Sequence, residues 1–151
     1  MDALWFDPAE MLIGGHWRAA PERLALENPS TGEGLAEIAR GGAPEIDAAV
    51  AAAEAALAGD WGRATATERG RMLTRLGGLV AARVDELAHL EALDVGKPLK
   101  QARADALALA RYLEFYGGAA DKLMGETIPY LDGYTVYTLR EPHGVTGHIV
   151  P

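Results

Sequence analysis

Side chains that could carry out acid–base or metal chemistry are scattered over this chain of 151 residues. The histidines are His16, His89, His143 and His148. Their spacing fits no pattern of metal ligands, so packing or surface roles explain them better. The predicted helices carry acidic residues such as Asp85 and Glu86, which could pair for general acid–base catalysis. Solvated helix faces and caps explain these acids more simply, and we predict no catalytic residues.

Cysteine is absent from the sequence, which excludes disulfides, thiolate metal ligands and a cysteine nucleophile within these residues. This absence is compatible with a reducing cytoplasm. No glycine-rich phosphate-binding motif occurs either. Gly96-Lys97 follows a predicted helix, whereas a phosphate loop precedes one, so we predict that it ends the helix. The residues alone therefore show no active site.

Charge and hydropathy argue against two classes of partner. The net charge is −8 and the basic residues form no cluster, whereas nucleic-acid binding needs clustered positive charge. No apolar run reaches the roughly 18 residues that a membrane helix requires. The first residues are acidic rather than basic, unlike a signal peptide. We expect a cytoplasmic protein that binds neither nucleic acid nor membrane.

The elements that must position any site begin with strands. Residues 11–17 form a short apolar run around Gly14-Gly15, which predicts a tight hairpin turn. A dense cluster of turn-forming residues at 28–32 follows a second run, and Asn28 is placed to cap this turn. Residues 35–39 then show a brief alternation of side-chain character that is typical of a strand. Together the first forty residues predict a small antiparallel β-meander.

Three helices are predicted next. The first begins at Pro44 and ends at Gly59. The second begins with a capping box formed by Thr65 and Glu68 and continues to Leu93. The third spans residues 99–116. Gly77-Gly78 in the second helix predicts close packing or a break nearby, since glycine is unfavourable inside a helix. Gly117-Gly118 is predicted to break or kink the third helix.

The last thirty residues return to strand patterns. Residues 127–131 and 134–140 flank Asp132-Gly133, a strong signal for a two-residue hairpin turn. Both faces of this hairpin carry apolar or aromatic side chains, so we expect it to need a partner surface. The apolar segment 144–151 is typical of a strand inside a parallel sheet. We expect the natural chain to continue beyond it.

A series of motifs in consistent order resembles the aldehyde dehydrogenase family. The motifs are Leu12–Trp17 (family I-N-G-x-W, with Gly14 in place of Asn), Asn28–Glu33 (N-P-x-T-G-E), Ile46–Glu54 (first helix), Trp61 with Glu68-Arg69, Glu91–Pro98 (E-x-x-D-x-G-K-P), Gly125–Pro129, Arg140–Val145 and Gly147–Pro151. Any one of these is a weak signal. Their consistent order along nearly the whole chain makes the resemblance specific.

The resemblance implies an α/β fold, namely the amino-terminal part of an aldehyde dehydrogenase. Its expected parts are a small β-meander, three or more helices, a projecting β-hairpin and the first strand of the Rossmann-like cofactor domain. It implies that residues 1–124 form the amino-terminal part of the cofactor-binding domain and that 125–143 form an oligomerisation hairpin. Residues 144–151 would be the truncated first strand of the Rossmann-like core.

The resemblance also implies a function for a longer parent protein. Such enzymes oxidise an aldehyde to a carboxylic acid with NAD or NADP, through a cysteine thiohemiacetal and hydride transfer. A glutamate activates water, and an asparagine amide supplies part of the oxyanion hole. The cysteine and glutamate belong to later sequence, and the asparagine is expected two residues after Pro151. We therefore expect an amino-terminal fragment that is inactive alone and binds no cofactor by itself.

A few residues can be carried over from the family. Ile149, Val150 and Pro151 match the strand end beside the adenosine side of the cofactor. Backbone carbonyls near Glu27 and Asp94 match a monovalent-cation site of some members. The hairpin 127–140 matches the element used for dimer or tetramer contacts, which implies a homo-oligomer. The alternative is a free-standing, non-catalytic module that associates with another chain through its hairpin.

Overall fold

The structure is a computed structural model that describes residues 5–150. The elements in order are β1 (Glu10–Ile13), β2 (His16–Ala19), β3 (Glu22–Glu27), β4 (Gly34–Arg40), α1 (Ala43–Ala58), α2 (Asp60–Arg63), α3 (Ala66–Ala81), α4 (Val84–Val95), α5 (Leu99–Ala119), a 3₁₀ turn (Ala120–Lys122), β5 (Thr127–Ile128) and β6 (Val136–Tyr137). The predicted mixture of strands and helices is confirmed. None of the helices in this part of the chain is long and apolar enough to cross a membrane.

The first hairpin forms where the sequence predicts it. β1 and β2 are antiparallel, with Ile13 opposite His16. Only Gly14 and Gly15 lie between them, and both have positive φ, 62° and 80°. Positive φ at both central residues defines the type I′ turn, whose twist matches that of the strands. The glycine pair therefore determines this hairpin locally.

The expected meander is divided into separate two-stranded sheets. β1 pairs with β2 and β3 with β4, and no ladder joins β2 to β3. Instead, the Ala39 N–H of β4 donates to the Pro8 carbonyl before β1 at 2.8 Å. The second hairpin therefore lies beside the entry to the first.

Helix boundaries follow the predicted caps. α1 begins at Ala43, one residue before the predicted start, and Gly59 caps its end. At α3 the Thr65 hydroxyl accepts from the Glu68 N–H at 3.2 Å, while a Glu68 carboxylate oxygen accepts from the Thr65 N–H at 2.7 Å. The capping box is confirmed as a reciprocal pair of hydrogen bonds. The short helix α2 was not predicted.

The single helix predicted to run to Leu93 is two helices. α3 ends at Ala81 and α4 begins at Val84. Neither residue between them is a helix breaker, so the cause is tertiary. The turn places Val84 and Ala88 in the core, where α4 packs against α5.

Both predicted glycine pairs lie inside continuous helices, so Gly117-Gly118 does not break α5. Gly77 and Gly117 are buried, because α3 and α5 cross there almost backbone to backbone. A Cβ on Gly117 would lie 2.7 Å from the Gly70 carbonyl oxygen. Gly78 and Gly118 face open space. One glycine of each pair permits the close crossing, and helical hydrogen bonding continues through both.

The hairpin at 127–140 forms with a shifted register. Ile128 pairs with Val136, whereas a two-residue turn at 132–133 would pair it with Tyr137. Gly133 has φ 82° and no other residue type has positive φ in the described range. The turn is therefore of type II rather than the predicted primed type. Type II turns splay the strands, and accordingly each strand is only two residues long.

The strand expected at 144–151 is not formed in the described residues. Residues 144–150 belong to no helix or strand, and Pro151 lies outside the described range. A β-strand requires a ladder partner, and no described strand pairs with this segment. Its apolar side chains Ile149 and Val150 are highly exposed.

The described residues bury only a small apolar core. The buried apolar residues are Ile13, Val84, Ala88, Ala102 and Ala106. Many larger apolar side chains remain exposed on the helices, including Tyr112 and Phe115 at about 60%. A contiguous exposed apolar surface marks an interaction site, so these faces are suited to contact further protein.

Candidate functional site

The turn after β3 is a compact hydrogen-bonded loop. The Asn28 side-chain oxygen accepts from the Ser30 N–H at 2.9 Å, and the Asn28 carbonyl accepts from the Gly32 N–H at 2.8 Å. Gly32 has φ 74°, a conformation that side chains rarely adopt. Asn28 thus caps the turn as predicted, and Glu27 is the residue directly before this turn.

The end of α4 packs directly against this loop. Gly96 caps the helix in the left-handed conformation at φ 68°, which confirms the predicted helix stop. A Cβ on Gly96 would lie 3.1 Å from Pro29 Cγ and 3.5 Å from Ser30 Oγ. The structure therefore brings together the two segments that carry Glu27 and Asp94.

Lys97 lies at the junction of α4 and α5 in a network of charged groups. Its ammonium donates to Asp105 Oδ2 at 2.8 Å and to Glu91. Gln101 donates to the other oxygen of Asp105 at 2.9 Å. The network links both sides of the Gly96 turn, so it fixes the direction in which α5 leaves α4. With two carboxylates as partners, Lys97 is not placed as a phosphate ligand.

The same network shifts two ionisation equilibria. Hydrogen bonds from Lys97 to Asp105 and then to Glu91 raise the pKa of Lys97 above its ordinary value. The bonds from Lys97 and Gln101 hold the pKa of Asp105 below its ordinary value. Both shifts favour the charged forms. The charges on Lys97 and Asp105 are therefore maintained near neutral pH.

An apolar groove of about 710 Å³ lies beside this junction. It is lined mainly by side chains of β3, β4 and α4, including Leu26, Ile38 and Leu90, with Asp94 and Lys97 contributing polar lining. The lining contains no cysteine, serine, threonine or histidine. The groove can therefore accept apolar groups, and its walls offer no thiol, hydroxyl or imidazole.

The predicted metal residues do not form a side-chain metal site. Within residues 5–150 no group of three or more histidine, cysteine or acidic side chains could hold a metal ion. Both Glu27 and Asp94 are exposed. A site built from their backbone carbonyls stays a prediction, and the adjacency of the two segments is compatible with it.

The predicted cofactor residues lie on the exposed final segment. Ile149 and Val150 are 104% and 77% exposed, and Pro151 lies outside the described residues. Near them, Thr146 Oγ1 and His148 Nε2 are 3.1 Å apart. The structure does not bring these residues to the Gly96 junction, so their role in cofactor binding stays a prediction.

Sequence reasoning missed the Lys97 network. Glu91 and Lys97 both lie in the motif 91–98, but the motif does not indicate that their side chains pair. The spacing of Gln101 and Asp105 could have indicated their hydrogen bond, since residues four apart share a helix face. The pairing of Lys97 with both carboxylates depends on the angle between α4 and α5, which a single sequence does not encode locally.

Comparison with known proteins gives a consistent result. Residues 17–151 match the aldehyde dehydrogenase family. A hydroxyisobutyraldehyde dehydrogenase of Mycolicibacterium austroafricanum is 42% identical over 146 residues, covering 95% of this chain and 29% of the relative. A mitochondrial aldehyde dehydrogenase of Arabidopsis thaliana, family 2 member B4, is also 42% identical, covering 94% of this chain and 27% of the relative. This chain thus spans less than a third of either relative.

Solved structures agree with these relatives. The NAD+ complex of an aldehyde dehydrogenase from Bacillus cereus superposes with a TM-score of 0.85 at 36% identity, covering 90% of this chain and 28% of that one. A structure from Burkholderia cenocepacia that is assigned to the aldehyde dehydrogenases gives a TM-score of 0.84 at 60% identity, covering 88% and 28%.

Proposed function

The chain belongs to the aldehyde dehydrogenase family, and we propose that it is the amino-terminal portion of an enzyme that oxidises an aldehyde to a carboxylic acid with NAD or NADP. The superposition of 90% of the chain on the Bacillus cereus NAD+ complex carries this proposal. The cofactor assignment draws support from that complex and from the NAD complex of PnpE. We further propose a cytoplasmic location for the parent.

These 151 residues alone are proposed to be inactive. Thiohemiacetal formation needs a cysteine thiolate, and the sequence contains no cysteine. The contribution of this segment is structural: α3, α4 and α5 form a platform whose exposed apolar faces accommodate the remainder of the enzyme. Ile149, Val150 and Pro151 then lie beside the adenosine half of a cofactor that the complete enzyme binds and this segment alone does not.

A monovalent cation is proposed to bind the carbonyls near Glu27 and Asp94. Asp94 lies in the last turn of α4, where carbonyls lack helical partners and the helix dipole is negative. The Asn28 turn holds the second segment against it. Thermal unfolding in sodium or potassium chloride would occur at higher temperature than in tetramethylammonium chloride of equal ionic strength. Equal melting temperatures in all three salts would contradict this site.

Association through the hairpin 127–140 is proposed from its exposed aromatic surface. Tyr130, Tyr134 and Tyr137 are each more than 60% exposed, and exposed apolar patches mark protein contacts. Tyr134→Lys is expected to lower the oligomeric mass of the chain in sedimentation velocity. Tyr112→Lys is the matched control, because Tyr112 is 62% exposed on α5. Equal effects of both substitutions would contradict a hairpin interface.

A hybrid enzyme tests the proposed function. The equivalent segment of the Bacillus cereus aldehyde dehydrogenase is replaced by residues 5–150 of this chain, and NADH formation from short aldehydes is followed by absorbance. We expect the hybrid to retain aldehyde-dependent activity, whereas an enzyme lacking the segment should have none. A soluble hybrid that binds NAD+ but oxidises no aldehyde would contradict the assignment.

Two simpler measurements complement the hybrid. The chain alone, incubated with NAD+ or NADP+ and an aldehyde, is expected to form no reduced cofactor, and measurable turnover would refute its proposed inactivity. The alternative of a free-standing module predicts association with a different protein and no activity in the hybrid. Activity of the hybrid together with self-association would exclude that alternative.

A further inference from the structure

The tip of the hairpin 127–140 is a turn that exposes an Asp-Gly peptide bond to solvent. Asp132 and Gly133 are its central residues, and the Tyr134 N–H donates to the Leu131 carbonyl at 3.2 Å. Both central residues are exposed to solvent. Water therefore has direct access to the peptide bond that joins them.

The geometry places a nucleophile next to a carboxyl group. The Gly133 N–H donates to Asp132 Oδ1 at 3.1 Å, so the carboxyl group already lies beside the nitrogen that would attack it. Gly133 has no side chain to obstruct the approach, and a Cβ built on it would meet nothing within 4 Å. Neither the residue itself nor its surroundings hinder a reaction between the two groups.

We propose that Asp132-Gly133 is a site of spontaneous isoaspartate formation. The Gly133 nitrogen attacks Asp132 Cγ, and the carboxyl hydroxyl leaves as water with the amide proton, which closes a five-membered succinimide. Water then adds to one of the two ring carbonyls. Addition at the side-chain carbonyl restores aspartate, and addition at the main-chain carbonyl produces isoaspartate. The net mass does not change, and no oxidant or catalyst is needed.

The other aspartates of the chain lack this combination. Asp132 is the only aspartate followed by glycine. Asp7 precedes Pro8, whose nitrogen carries no hydrogen to lose. The remaining aspartates of the described residues lie in helices and precede residues with side chains; they are Asp47, Asp60, Asp85, Asp94, Asp105 and Asp121. The reaction is therefore expected to be specific to the hairpin tip.

The modification would alter the hairpin surface. Isoaspartate adds a methylene to the main chain at the centre of the turn. The strands on either side are held together only by the pairs at Thr127 and Ile128 and by two hydrogen bonds between Glu126 and Thr138 in the described residues. The tyrosines beside the turn would shift with it. The effect on self-association rests on the proposed function of the hairpin, whereas the modification itself does not.

The test is prolonged incubation of the 151-residue chain at neutral pH and physiological temperature. Trypsin releases residues 123–140, a peptide whose only aspartate is Asp132. Electron-transfer fragmentation distinguishes isoaspartate from aspartate at equal mass. We expect a peptide of unchanged mass with isoaspartate at this position, increasing with time.

Asp132→Glu is the matched variant, because its longer side chain would have to close a less favourable six-membered ring. This variant is expected to form no isomerised residue at position 132 while keeping the negative charge of the side chain. The proposal is overturned if Asp132 in the wild-type chain accumulates no more isoaspartate than Asp47 or Asp105 after the same incubation. Sedimentation of the aged chain is measured separately, so a failure of the hairpin interface cannot be mistaken for a failure of the modification.

Discussion

Adjacent glycines at the crossing of α3 and α5 are expected to respond oppositely to the same substitution. Gly117 is buried in the crossing, and Gly118 is exposed. A Cβ on Gly117 would lie 2.6 Å from Thr74 Oγ1 and 2.7 Å from the Gly70 carbonyl oxygen. On Gly118 it would meet nothing within 4 Å. Comparing the same substitution at these two neighbouring positions therefore distinguishes the effect of helix propensity from the effect of packing.

The magnitude follows from two opposing effects. Alanine is favoured over glycine inside a helix by about 1 kcal/mol, and both substitutions gain this. At Gly118 nothing opposes the gain, so Gly118→Ala should stabilise the chain by about 0.5–1 kcal/mol. At Gly117 the methyl group meets backbone, which cannot rotate away, and overpacking costs roughly 1–3 kcal/mol. We expect Gly117→Ala to destabilise the chain by up to about 2 kcal/mol, after subtracting the propensity gain.

The assay is equilibrium unfolding in urea, followed by the helical circular dichroism signal. All variants are measured at one protein concentration, because self-association changes the apparent stability. Unfolding midpoints are compared at a common slope. Gly77→Ala and Gly78→Ala repeat the comparison on α3. A Cβ on Gly77 would lie 2.9 Å from the Ala110 carbonyl oxygen of α5, whereas a Cβ on Gly78 would meet nothing within 4 Å.

The reasoning is refuted if Gly117→Ala stabilises the chain as much as Gly118→Ala does. That result would mean that α3 and α5 move apart at little cost and that the close crossing does not contribute to stability. An equal loss in both variants would instead show that helix propensity does not govern either position.

Three further predictions concern the caps and the charged junction. Thr65→Ala removes the α3 cap and should cost about 1 kcal/mol in urea unfolding, while Thr65→Ser should retain most of it; equal stability of all three would contradict the cap's role. Gly96→Ala forces a side chain into the left-handed conformation towards Pro29, and we expect a loss of about 1–2 kcal/mol; an unchanged midpoint would argue against the rigid junction. Lys97→Met should lower stability near neutral pH. The pKa of Lys97 is raised and the pKa of Asp105 is lowered by this network. The loss of stability should therefore be constant over the pH range between the ordinary pKa values of aspartate and lysine, about 3.9 and 10.4. It should shrink as pH falls through the lowered pKa of Asp105 or rises through the raised pKa of Lys97, and a difference independent of pH would contradict the network.

Features that depend on a few neighbouring residues could be predicted from the sequence. The Gly14-Gly15 turn, the Thr65 capping box and the helix stop at Gly96 were each predicted and are each present. The family resemblance was also visible in the motifs and is confirmed. The candidate site was predictable only as two separate segments, at Glu27 and Asp94, because each motif describes its own surroundings.

The rest depends on groups that are distant in sequence. A sequence pattern indicated that Gly117 was unusual, but only the approach of α3 shows that it permits a close crossing rather than a break. The division of the predicted second helix at residues 82–83 likewise reflects the burial of Val84 and the packing of α4 against α5. Local sequence determined turns and caps because their hydrogen bonds close within about four residues. Tertiary structure decided helix crossings, strand pairing and the partners of Lys97, because these contacts are selected by packing over the whole chain.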